Sequence, residues 1–360
     1  MSLPFAQAFT GRSVLVTGHT GFKGSWLCLW LDRLGARVSG YALEPPTEPS
    51  NFVEARVAEV LAADVRADLR DRAALAAALE AARPEVILHL AAQSVVRQGY
   101  ADPAGTFSVN VMGTVNVLEA VRLAGRPCAV VVVTSDKAYE NDGSGRPLTE
   151  ADRFGGNDPY SASKGAAEIV TTAYRRSFFP PAELERHGVA LASARAGNVV
   201  GGGDWTADGI VADIVRALAA GRPVPVRNPA AVRPWEHVLE PLAGYLTLAA
   251  ALLGPDAAAA SRGWNFGPAD TDAATVEEVV EAFLAAWGSG SWQPAGQPGD
   301  PPEAAVLRLS IEAATSQLGW APRWGFEETI RRTSAWYRRY LAEPGSARQA
   351  CLDDIAAYGA

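Results

Sequence analysis

A chain of 360 residues, 48% hydrophobic and 20% charged, has enough apolar surface for a large core, which excludes a disordered protein. Its net charge of −8 argues against non-specific binding to nucleic acid or to an anionic membrane surface. Three widely separated cysteines with no CxxC pair, and four dispersed histidines, offer neither a disulfide framework nor metal-ligand spacing, so no metal is expected.

The first element is a short strand, Ser13 to Thr17, that runs into Gly18, His19, Thr20, Gly21, Phe22, Lys23 and Gly24 and then into a helix ending near Leu34, with Gly35 as its stop. Strand, glycine loop and helix in that order suit a dinucleotide pyrophosphate. Gly18 permits the turn, Gly21 the approach of backbone to phosphate, and Gly24 close packing of helix on strand. The helix N-terminus adds unpaired amides and the positive end of its dipole. A second strand, Arg37 to Leu43, should end on an acid that holds the ribose hydroxyls of NAD. The nearest acid, Glu44, lies one or two residues late, and no arginine follows at once to mark a 2′-phosphate. This strand leaves NAD and NADP both open.

Asp68 and Leu69 open an alanine-rich helix to Ala82, and Val86 to Leu90 make the next buried strand, with small residues Ala91 and Ala92 and then Gln93 at its end. His89 inside that apolar run reads as a core histidine. Asn110 to Ala120 is helical, and Ala129 to Val133 is a β-branched run fit for a strand buried on both faces. Its polar continuation, Thr134, Ser135, Asp136 and Lys137, should lie at the carboxyl edge of a parallel sheet, where ligands bind in doubly wound folds. Residues 141–157 form a loop. Asp158 and Pro159 then act as N-cap and first residue of a helix that carries Tyr160 and Lys164 on one face. An ammonium beside a phenol favours the phenolate, which makes the pair a base. A strand at Leu191 to Arg195 leads to a glycine-rich stretch after Asn198, and Arg227, Arg233 and Trp235 offer guanidinium forks for a diphosphate and an aromatic face for a nucleobase. No apolar run approaches the roughly 20 residues of a membrane helix, so a soluble, cytoplasmic protein with no membrane partner is expected.

Six ordered motifs, TGHTGFKGSW at 17–26, AAQ at 91–93, TSDKAY at 134–139, DPYSASK at 158–164, RAGNVVGGGDW at 195–205 and RPWEHV at 233–238, resemble those of extended short-chain dehydrogenase/reductases, within their nucleotide-sugar dehydratase branch. The resemblance spans nearly the whole chain. It implies an α/β Rossmann-type doubly wound parallel sheet with a smaller C-terminal substrate-binding lobe. The expected division is 1–195 with 236–262 for NAD, and 196–235 with 263–360 for the nucleotide sugar. It also implies NAD as cofactor and assembly as a homodimer or homotetramer.

Carried over by position, Tyr160 is the base at the sugar 4-hydroxyl, Lys164 its partner, and Ser135 a hydrogen-bonding partner of the reacting oxygen. Gly18, Thr20, Gly21, Phe22, Lys23 and Gly24 match the phosphate loop, Asp68 and Leu69 the adenine end, and Leu90, Ala91 and Ala92 the cofactor wall. Gln93, Asn198, Arg227, Arg233 and Trp235 match the sugar-nucleotide side. Related dTDP-sugar enzymes carry an Asp-Glu pair where this chain has Asp136 and Lys137; lysine there resembles the CDP-sugar branch, and the resemblance implies CDP-glucose as substrate. The reaction this implies is oxidation at C4, elimination across C5 and C6 by base Lys137 and acid Asp136, and reduction at C6. A nucleotide-sugar 4-epimerase, a dehydratase of another NDP-hexose and a non-catalytic dinucleotide-binding regulator remain alternatives.

Overall fold

Short runs of valine, isoleucine, leucine and alanine set the strands, and their order sets the position of the site. In a computed structural model, which describes residues 3–269, 273–296 and 306–359, the strands are β1 (Ser13–Thr17), β2 (Arg37–Ala42), β3 (Ala63–Arg66), β4 (Val86–His89), β5 (Cys128–Val133), β6 (Val189–Ala196), β7 (Asn198–Val200), β8 (Val224–Val226), β9 (Val232–His237), β10 (Gly263–Phe266), β11 (Ala273–Thr275) and β12 (Trp292–Pro294). Seven of them form one sheet in the order β10-β6-β5-β4-β1-β2-β3, and every pairing in it is parallel. The chain steps outward from β1 to β3, then returns to lay β4 on the other side of β1. That reversal opens a crevice beyond the carboxyl ends of β1 and β4.

All six residues of β5 are buried, and alternation along the strand divides the core between the two faces. Ala129, Val131 and Val133 join one apolar cluster and Val130 and Val132 the other. Helices Phe22–Arg33 and Leu239–Leu253 cover the first face, and helices Arg72–Ala82 and Gly113–Ala124 the second. Beyond β6, the chain builds a three-stranded sheet, β11-β9-β7, and a two-stranded one, β12-β8.

Several expected boundaries move. The helix expected from Asp68 starts at Arg72, because Asp71 caps it by accepting from the amides of Ala73 and Ala74. Asp68 instead turns its carboxylate onto Arg70. β3 was not foreseen; four residues, ADVR, with no buried position give no periodic signal. β10 pairs with β6 in the main sheet, and β9 runs unbroken across 235 and 236. The C-terminal helix Ala347–Tyr358 packs on the first helix, with the rings of Trp30 and Tyr358 centred 5.5 Å apart.

Candidate active site

The glycine loop is built for close approach. Gly18 has φ +77°, and a Cβ there would lie 2.7 Å from the Ala91 amide nitrogen; one on Gly24 would lie 2.1 Å from the Gly18 carbonyl oxygen. Thr20 Oγ1 donates to the Leu43 carbonyl at 3.0 Å, tying the loop to the end of β2. The Phe22 ring packs into the main core, near Gly201. Leu90 and Ala91 hang from Thr17 through their amides, at 3.1 and 3.2 Å, which sets them, with Ala92, along the crevice wall. A bare-backbone cradle at the head of a 12-residue helix fits the pyrophosphate of NAD.

At the far end of the cradle, Asn116 holds the Leu69 carbonyl at 2.9 Å while the Leu69 side chain enters the core. Glu44 is exposed and pairs with Arg66 at 3.1 Å. Arg66 also binds Asp64, whose carboxylate holds His19 Nε2 at 2.7 Å. Arg66 of β3 thus stands beside the end of β2 with its guanidinium engaged by two carboxylates. His89 is the core histidine expected: Nδ1 meets Thr17 Oγ1 at 2.7 Å and Nε2 meets Thr114 Oγ1 at 3.2 Å. Burial pushes its pKa down to about 3.

Ser135, Asp136, Lys137, Tyr160 and Lys164 converge beyond the end of β5. Asp158 caps helix Pro159–Ser177, accepting from the Ser161 amide at 3.0 Å, so Tyr160 and Lys164 stand on its first turns facing the sheet. Lys164 Nζ reaches the Val133 carbonyl at 3.4 Å. Burial, with Lys23 acting in the same direction, lowers its pKa to about 8. The expectation that Lys164 brings the phenol toward neutrality does not hold for the protein alone. Burial raises Tyr160 to about 12, with Asp136 and Asp158 adding to the rise and only a hydrogen bond with Ser135 opposing it. Asp136 is 2% exposed. Its Oδ1 accepts from Ser135 Oγ at 2.9 Å, whereas Oδ2 has no partner. Burial raises its pKa, the direction an acid requires.

Lys137 joins this cluster to a cleft of about 230 Å³ that Asn198, Asp204, Arg227, Arg233 and Trp235 also line. Arg227 donates to the carboxylate and carbonyl of Asp208, and Arg233 to the Val232 carbonyl at 2.9 Å. Trp235 is packed in the core, its Nε1 on the Ala274 carbonyl, and at 4% exposed it offers little surface for stacking. Gln93 is engaged at both ends of its amide, by Thr106 and by the Val95 amide, and its own backbone amide donates to Asn110. In this state it braces the segment after β4.

A buried network behind the site went unread. Glu168, 0% exposed, pairs with Arg195 Nε at 2.8 Å and accepts from Thr134 and Ser193. Arg195 also donates to Tyr139, which donates to Asn265 at 2.7 Å. These contacts clamp β5, β6, β10 and the helix that carries Tyr160. The available signal was spacing, since Glu168 continues the interval of four from Tyr160 through Lys164.

The model of the NAD-dependent epimerase/dehydratase family matches residues 14–258. A CDP-glucose 4,6-dehydratase of Salmonella typhimurium is 48% identical over 92% of this chain and 92% of its own length. A dTDP-glucose 4,6-dehydratase of Xanthomonas campestris is 27% identical over 90% of this chain and 92% of its own. Among solved structures, the UDP-glucose 4-epimerase of Thermus thermophilus, in complex with NAD, superposes with a TM-score of 0.75 at 27% identity, covering 90% of this chain and 98% of that one.

Proposed function

The chain belongs to the NAD-dependent epimerase/dehydratase family, and we infer that it is a lyase that converts CDP-glucose to CDP-4-keto-6-deoxyglucose and water. The observation that carries this reading is the placement of Asp136 and Lys137 beside Tyr160 and Lys164 at one crevice. Oxidation at C4 uses Tyr160 and Lys164 alone, as a 4-epimerase would. An acid for the C6 oxygen and a base for the C5 proton are needed only where water is eliminated. NAD, held by the loop from Gly18 to Gly24 and by Leu90 to Ala92, supplies the hydride acceptor and donor.

In this reading Tyr160 takes the proton of the sugar 4-hydroxyl, with Ser135 hydrogen-bonded to the same oxygen. The 4-ketone acidifies the C5 proton. Lys137 removes it while Asp136, held neutral by burial, protonates the departing C6 hydroxyl. Lys137 then returns its proton to C5. Lys23, Thr20 and Phe22 shape the phosphate loop, and Asp68 and Leu69 bound the adenine end. Asn198, Arg227 and Arg233 grip the diphosphate, with Gln93 and Trp235 as walls. The division into a cofactor lobe and a sugar lobe is part of the same proposal, with residues 263–266 assigned to the first.

The protein further assembles with a second copy of itself. Helices Gly113–Ala124 and Pro159–Ser177 lie side by side, and Leu123 and Ile169 on them are 65% and 60% exposed, with Met112 just before the first helix and Phe178 just after the second at 51% and 45%. Such a double-helix apolar face suits a two-fold partner. The test of substrate is a panel of CDP-, dTDP-, UDP- and GDP-glucose with mass spectrometry for loss of water. CDP-glucose is expected to react fastest by a wide margin. Interconversion of the C4 epimers with no change in mass would favour the epimerase, and no conversion at all the binding regulator.

A further inference from the structure

Glu236, on β9, is 1% exposed, and neither carboxylate oxygen has a hydrogen-bond partner. A buried carboxyl with both oxygens unpaired is costly even when neutral, and more so when ionised, so this one calls for a functional reason. Its neighbours point to one. Pro234, two residues earlier and therefore on the same face of β9, abuts Gly197, and a Cβ on Gly197 would lie 3.2 Å from Asp136 Oδ2, itself unpartnered. β7, which follows Gly197, pairs Val199 with Glu236. Lys23 comes in from the glycine loop, with Nζ 3.5 Å from the buried Tyr245 hydroxyl. The charged and titratable groups facing Glu236 are Lys23, Asp136, Glu240, Tyr245 and Tyr358; those facing Lys23 also include Asp204 and Lys164.

The proton balance of the reaction shows what is missing. In the proposed turnover Asp136 gives its proton to the leaving hydroxyl as the C6–O bond breaks, forming water. Tyr160 ends with the proton of the 4-hydroxyl, which became a ketone. Lys137 takes a proton from C5 and restores it there. No proton is gained or lost, but one must pass from the Tyr160 end of the site to Asp136 before the next turnover.

We propose that Glu236 and Lys23 are positioning residues that form the buried proton store reloading Asp136, with Glu236 passing its proton to the Asp136 carboxylate through an intervening water and recovering it from the Lys164 and Tyr160 side by way of Lys23. The proposal rests on the dehydratase reading. Burial acts in accord with it: Glu236 is driven well above the ordinary carboxyl range and Lys23 below the ordinary lysine range, which favours the neutral pair and a proton that can move.

The test is Glu236→Gln, which copies the size and neutrality of the protonated acid but cannot release a proton. With saturating CDP-glucose and NAD, the variant should form a single equivalent of keto-sugar per active site at the parent rate. It should then slow by roughly tenfold or more, as expected for loss of a proton-transfer group. Glu236→Asp, which remains ionisable, should restore continuous turnover, and its steady-state pH profile should shift while KM for CDP-glucose stays near the parent value. Continuous turnover of Glu236→Gln at the parent rate with no burst would overturn the proposal. So would a stall of that variant in the first turnover, or its failure to fold, since a neutral isostere must suffice for structure and for one cycle. Failure of the unmutated protein to dehydrate CDP-glucose would instead sink the dehydratase reading beneath it.

Discussion

The two halves of the reaction are assigned to different side chains, so single substitutions should separate them. Tyr160→Phe removes only the ionisable oxygen of a buried ring and should lower turnover by about 10² to 10⁴ or more, with no reduced cofactor formed on mixing with CDP-glucose. Asp136→Asn and Lys137→Ala leave Tyr160 in place; they should form reduced cofactor and then stall before water is lost. A single-turnover absorbance trace, run beside exchange of the C5 hydrogen in heavy water, distinguishes the two patterns. Exchange and dehydration by Lys137→Ala at the parent rate would remove the lysine from the chemistry. The protonation of Asp136 could be read only from the structure, since it depends on burial and on an unpartnered Oδ2, and neither is visible in the order of residues TSDK.

The elements that carry the site were legible where periodicity was strong. β1, β5 and the Pro159–Ser177 helix with its Asp158 cap lie within a residue of expectation, because β-branched runs and an Asp-Pro cap have few other uses. What failed was short or depended on distant partners. β3 has four residues and no apolar face, so Arg66 could not be placed beside Glu44. The clamp of Glu168 on Arg195 joins residues 27 apart in sequence. Glu168→Ala would leave the Arg195 guanidinium buried and unpaired, and should cost about 3 to 5 kcal/mol of stability in denaturant unfolding; a loss under about 1 kcal/mol would show the pair to be dispensable. His89, buried between β4 and helix Gly113–Ala124, makes a separate prediction in pH. Its folded pKa of about 3 lies below the ordinary histidine value of 6.5. Between those values the unfolded chain binds the extra proton, so stability rises with pH through that window and is lost as pH falls. Replacing it as His89→Asn should flatten the slope by up to about 1.4 kcal/mol per pH unit between pH 6 and 4, measured as the change in urea midpoint. An unchanged slope would mean that His89 does not titrate on unfolding.

At the scale of the whole molecule, the reversal in strand order around β1 puts the glycine loop, the end of β4 and the end of β5 at one crevice, and β7 and β9 line the cleft that Lys137 joins to it. That architecture is shared by enzymes that only oxidise and reduce, so the fold alone does not select the reaction. The outer face carries a further prediction. Ile169→Glu, which puts a charge at the centre of the exposed apolar strip, should convert the assembly to monomer by sedimentation velocity without changing the dichroism of the fold. An unchanged assembly would place the interface elsewhere. Among the described residues no helix is long and apolar enough to cross a membrane. In the proposed reaction one site oxidises C4, eliminates water and reduces C6 within a single bound sugar. Its most direct test is CDP-glucose deuterated at C4, incubated with the protein and NAD and followed by mass spectrometry and proton NMR. The product should be lighter by one water, with the deuterium carried into the C6 methyl group. Deuterium retained at C4, or lost to the cofactor pool with no 6-deoxy product, would contradict it.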